Sequence, residues 1–158
     1  MKSIRCASVV VVADNDHGLL VAARLRRMEM AEVTAVDNVD EAQRLCRTGG
    51  IDACLVVHDE AVADARPNPV AEAPGRGCGV PSLMMVLVLT PYLRKSARQA
   101  GYAAAVPASI APRMLYRRIG ATLQRRRAAG RNRRPRAGID VRILGQHRPA
   151  DALKPTLH

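Results

Sequence analysis

The run Val9-Val10-Val11-Val12 leads directly into Ala13-Asp14-Asn15-Asp16. Consecutive β-branched residues bounded by short polar side chains read as a buried strand that ends at a loop. The same grammar recurs along the chain. Strands are expected at 8–13, 33–36, 53–57, 83–89 and 103–106. Helices follow from about His17 to Met28, then over 40–47, 92–100 and 112–127. Asn15 or Asp16 can cap the first helix and Asn38 or Val39 precedes the second, while Gly49-Gly50 and Gly101 end two helices and Pro112 opens the last. The stretch 53–57, Ala-Cys-Leu-Val-Val, is apolar throughout, as a strand covered on both faces must be. Strands alternating with helices predict a parallel sheet between helical layers. The expected fold is α/β, a flavodoxin-like (βα)5 three-layer sandwich with sheet order 2-1-3-4-5.

One stretch breaks the rhythm. Between 59 and 81, Glu60–Ala65 can form a turn or two of helix. Beyond it, Pro67, Pro69, Pro74, Gly75, Gly77, Gly79 and Pro81 exclude a regular helix, so a mobile Pro/Gly-rich loop is expected. The chain therefore divides into a domain over 1–127 and a basic, disordered tail over 128–158. With no Phe, no Trp and 3 Tyr, the core must be built from Val, Leu, Ile, Ala and Met. The formal charge of +11 comes mostly from arginines late in the chain: Arg113, Arg117, Arg118, Arg125, Arg126, Arg127, Arg131, Arg133, Arg134 and Arg136. Such a run could hold nucleic-acid phosphates. No aromatic follows Tyr116 to stack on bases, so a solvated helix end and charged linker is the preferred reading, and nucleic acid is not the expected partner.

The chemistry these residues exclude is broad. Cys6, Cys46, Cys54 and Cys78 have no C-x-x-C pairing and no His at zinc spacing, and Cys46 and Cys54 read as small hydrophobes in apolar runs. Ser96 and Ser109 lack any nucleophile motif, and no phosphate-cradling glycine loop follows a strand. His58 closes the third strand and reads as a surface histidine, with metal or phosphoryl binding as the alternative. No segment approaches the ~20 apolar residues of a membrane span. A non-enzymatic, cytoplasmic protein is expected.

With the element order in place, the chain resembles the receiver domain of two-component response regulators and hybrid histidine kinases over about residues 6–127. The resemblance is carried by Val12-Ala13-Asp14-Asn15-Asp16 after the first strand, Asp37-Asn38-Val39-Asp40-Glu41-Ala42 at the second helix, Leu87-Val88-Leu89-Thr90-Pro91 closing the fourth strand, and Ala100-Gly101-Tyr102-Ala103-Ala104 before the fifth. In that family the acidic loop holds Mg²⁺ and an aspartate ending strand three accepts a phosphoryl group from a histidine kinase. A hydroxyl residue on strand four and a lysine after strand five contact the phosphoryl oxygens. Carboxylates hold the metal, and metal and lysine neutralise the developing charge.

Here the acceptor position falls on Val57, followed by His58, and the lysine position on Ala108. The second loop acid is matched by Asn15, which leaves Asp14, with Asp16, for a weakened Mg²⁺ site. Thr90 matches the hydroxyl residue. The resemblance thus implies a degenerate pseudo-receiver without cofactor, acting in phosphorelay signalling by docking and not phosphorylated itself. Its partners would be a histidine kinase, a phosphotransfer protein, a second receiver-like domain or another copy of the chain. The docking surface would be the first helix and the face around helix 92–100 and strand 103–106, with Tyr92, Arg94, Lys95 and Arg98. The alternative is an active receiver phosphorylated on Asp59 through a two-residue slip that keeps the same strand face.

Overall fold

The computed structural model describes residues 6–13, 16–58 and 70–132. Asp14, Asn15, Asp59, the helical turn expected over 60–65 and the tail beyond 132 lie outside the described residues.

In chain order the elements are β1 (Ser8–Val12), α1 (Asp16–Arg27), β2 (Glu32–Val36), α2 (Val39–Thr48), β3 (Ala53–Val57), β4 (Ser82–Val86), α3 (Pro91–Gln99), β5 (Ala104–Pro107) and α4 (Pro112–Asn132). The five strands form one parallel sheet in the order β2-β1-β3-β4-β5, as expected. Alternation along the strands divides the core in two. Val9, Val11, Leu55, Val57, Leu83, Met85 and Val106 pack under α1 and α4, with Val21, Leu25, Leu115, Ile119 and Leu123. Val10, Val12, Cys54, Val56, Met84 and Val86 pack against Ala42 and Cys46 of α2 and Leu93 and Ala97 of α3. Leu25, Leu55, Leu83 and Ile119 are fully buried. Each such side chain contributes about 1.5–3 kcal/mol, which offsets the lack of aromatic bulk.

Helix boundaries follow local chemistry. The Asn38 side chain accepts a hydrogen bond from the Glu41 amide at 2.8 Å, capping α2. Gly49 (φ 85°) and Gly50 (φ 87°) end α2 in a backbone region that β-carbon-bearing residues avoid. The last helix extends past the expected end near Arg127 to Asn132. Arginine and alanine are good helix formers, so the basic run continues the helix where a linker was expected.

Two further differences concern β4 and the segment before it. β4 ends at Val86, three residues short of the expected Leu89. Its partners run out there: β3 pairs to Met85 through Val57, and β5 to Val86 through Pro107. Leu87 and Val88 are therefore exposed despite their apolar character. Residues 70–81 contain no regular helix, as expected, but they are packed where an open loop was expected. Ala73, Pro74, Gly75 and Val80 are buried. The Ala73 amide donates to the Ala100 carbonyl at 2.9 Å, and the Gly75 amide donates to the buried Ser82 hydroxyl at 3.0 Å.

Candidate functional site

All five strands run the same way, so their C-terminal ends share one edge, where open α/β sheets collect ligands. Backbone hydrogen bonds extend the ladder one residue past the strands. The Ala13 amide donates to Val36, His58 to Met85 at 2.9 Å, and Ala108 to Val86 at 2.7 Å. Ala13, His58, Leu87 and Ala108 therefore stand along the rim where a receiver would assemble its phosphorylation pocket.

Val57 is the last residue of β3 and only 2% exposed, packed in the α1/α4-side core. It has no group that can accept a phosphoryl. Its neighbour His58 is half-buried. Ala108, at the lysine position, is partly buried against the same core cluster. Among the described residues the one lysine is Lys95, exposed on α3.

Thr90 does not close β4. It lies four residues beyond the strand's last residue, Val86, as the N-cap of α3. Its hydroxyl accepts from the Leu93 amide at 3.2 Å, and Pro91 fills the first helical position. The hydroxyl is thus committed to satisfying a helix end. The strand-end position belongs to Val86 and Leu87. The register set by β3 and β5 causes the shift, because the apolar run 87–89 has no strand beside it.

Of the acidic positions, Asp16 is described. It is exposed in the first turn of α1, where a carboxylate complements the helix dipole. Asp14, Asn15 and Asp59 lie outside the described residues, and β3 ends two residues before Asp59. Magnesium needs several oxygen ligands in near-octahedral geometry. Val57 supplies none, and among the described residues no group of three His, Cys, Asp or Glu is placed to hold a metal ion.

A different feature emerges on the side of the sheet edge. β5 is an outer strand, and beside it lies a groove of about 250 Å³. Arg94 and Arg98 of α3 and Arg118 and Arg125 of α4 line it, with Tyr102 and Ile110, and none of the described residues lining it carries a carboxylate. Tyr102 is 4% exposed, and burial, aided by the nearby Cys54, raises its phenol well above the usual tyrosine range. Arg94 and Arg98 were legible as surface cations. Their alignment with Arg118 and Arg125 was not, because only the sheet brings the two helices to either side of β5.

Among the described residues no helix is long and apolar enough to cross a membrane. No protein-family model matches the chain, and no curated protein matches it. Solved structures do. The signal receiver domain of an HD domain-containing protein from Pseudomonas fluorescens Pf-5 superposes with a TM-score of 0.62 at 12% identity, covering 84% of this chain and 97% of that one. The signal receiver domain of a modulated diguanylate cyclase from Desulfovibrio desulfuricans G20 gives 0.58 at 21% identity, covering 78% and 98%. A two-component response regulator from Clostridium difficile gives 0.58 at 13% identity, covering 75% and 97%. The backbone, sheet order and coverage together give this chain the fold of a response-regulator receiver domain.

Proposed function

We propose that the chain is a degenerate receiver: a two-component signalling module that works by docking and is not itself phosphorylated. The observation that carries this reading is Val57, a buried aliphatic side chain at the strand end where the acceptor carboxylate would stand. Ala108 at the lysine position and Thr90 held in a helix cap support it. Phosphoryl transfer relies on positioned charge, and each of these residues removes a part of it.

The partner is a histidine kinase, a phosphotransfer protein or another receiver-like domain, and it docks over α3, β5 and α4. Four guanidinium groups, with no carboxylate among the described residues that line the groove, call for an acidic face on that partner. Complementary charge of this kind raises association rates and weakens with salt.

Incubation with acetyl phosphate and Mg²⁺, followed by intact mass measurement, tests the reading. The expected result is an unchanged mass. A phosphoryl adduct that disappears in Asp59→Asn would establish an active receiver instead. The docking half is tested with Arg94→Glu/Arg98→Glu, exposed residues whose replacement leaves the core intact. Capture of histidine kinases and phosphotransfer proteins from the same genome should fall at least tenfold in this variant. Capture that is unaffected would place the docking face elsewhere.

A further inference from the structure

The sheet has two outer strands, and their free edges are finished differently. Along an outer strand every second residue turns its amide and carbonyl away from the sheet, where another chain can pair with them. On β2 the Val36 carbonyl faces inward and accepts from the Ala13 amide at 2.8 Å, so Val33, in the opposite phase, faces outward. Its carbonyl is covered: the Arg26 guanidinium of α1 donates to it through Nε at 3.1 Å and through Nη2 at 2.9 Å. β5 pairs with β4 on one side. The Ala103 amide donates inward to the Ser82 carbonyl at 2.8 Å, so Ala104 and Val106 turn their amides and carbonyls outward, into the arginine-lined groove. Among the described residues no strand lies beside them. Ala103, Ala104 and Ala105 set no bulky side chain against a chain approaching this edge, and Pro107, which has no amide proton, ends it.

We propose that β5 accepts an extended, acidic segment of a partner protein as a sixth strand of the sheet. This mode of binding rests on the docking face proposed above and adds how the partner is held. Main-chain hydrogen bonds to Ala104 and Val106 supply affinity, and side chains supply selectivity, as in other strand additions. Successive side chains of an added strand turn to opposite faces of the sheet. α3 packs on one face and α4 on the other, so one set of side chains meets Arg94 and Arg98 and the alternate set meets Arg118 and Arg125. Arg94 and Arg98 stand one helical turn apart, about 5–6 Å. That spacing matches the roughly 6.6 Å between alternate residues of a strand. Both faces of the incoming strand are thus met by cations, which favours Asp or Glu at consecutive positions over an alternation of acidic and apolar residues. The same charge disfavours a second copy of this chain as the occupant, because pairing β5 with β5 would bring the four guanidinium groups of each copy together. β5 is 4 residues long, so the segment held is correspondingly short.

The probe is the peptide acetyl-Glu-Glu-Val-Glu-Glu-amide, added at low salt to the full chain labelled with nitrogen-15. Saturating peptide should slow amide hydrogen exchange at Ala104 and Val106 by about tenfold or more, while Ala105, whose amide faces β4, changes little. The same peptide with every backbone nitrogen methylated keeps its charge and loses its ability to pair, and it should bind at least tenfold more weakly. Ala104→Pro removes one outward donor on an edge where proline is tolerated. It should weaken binding of the unmodified peptide while keeping the circular dichroism spectrum of the parent. Equal binding of the two peptides, with no slowing at Ala104 and Val106, would overturn strand addition and leave an acidic docking face standing. Absence of saturable binding below about 1 mM would overturn strand addition as well. The docking face itself is decided separately, by capture of partners with Arg94→Glu/Arg98→Glu.

Discussion

Replacing Val57 by aspartate restores the residue type of a phosphoryl acceptor, yet sets it beside Ala13, Leu55 and Met85 in the covered face of the sheet. Burying a carboxylate there without a partner and losing the apolar contact should destabilise the fold by about 3 kcal/mol. Urea denaturation measures this, and acetyl phosphate should still leave the variant unlabelled, because Ala108 supplies no cation. Tyr102 carries a pH prediction. Burial raises its phenol, so the folded chain keeps that proton at pH values where the unfolded chain has released it. The stability contribution is complete below the unfolded pKa of about 10 and is lost as pH rises above it. Tyr102→Phe should therefore flatten the alkaline fall in thermal midpoint above about pH 10 while changing stability at pH 7 by less than about 1 kcal/mol.

At the scale of elements, Thr90→Ala removes the cap of α3 and should cost about 1 kcal/mol, read from denaturant midpoints. A phosphate-sensing hydroxyl would instead show its loss in labelling kinetics. Gly75 is required for a different reason. A β-carbon there would run into the Val80 carbonyl and crowd the Ser82 hydroxyl. Gly75→Ala should accordingly open the turn, cost about 2 kcal/mol or more, and speed amide exchange at Ala73 and Gly75. These elements also show what the chain reveals of itself. β1 and β3 were legible because a strand covered on both faces needs nothing but apolar, β-branched residues. β4 was read too long because Leu87, Val88 and Leu89 look like strand, and only the lengths of β3 and β5 decide where pairing stops. The 70–81 turn was read as open because prolines and glycines exclude a helix. Its order comes from Ala100 and Ser82, partners that local pattern does not disclose. At the rim, Val57 and Ala108 could be placed by counting along the chain, whereas the role of Thr90 depended on strand register. The arginine groove draws on residues from separate elements, so no spacing in the sequence signals it.

For the whole molecule, charge and fold act together. The formal charge of +11 favours acidic partners in general, and the groove beside β5 gives that preference a defined place. A receiver that switches needs a phosphoryl group to favour one of two conformations, and a ligand with no preferential contact shifts no equilibrium. The described rim offers a buried valine, an alanine and a capping threonine, and on the proposed function the molecule is expected to keep a single conformation in the presence of phosphoryl chemistry. Amide chemical shifts during titration with Mg²⁺ and beryllofluoride, a phosphoryl mimic, measure this most directly. The amide signals of Ala13, His58, Leu87 and Ala108 are expected to stay in place. Saturable shifts at these four amides, carried on to Tyr102 and Val106 in the groove, would contradict it.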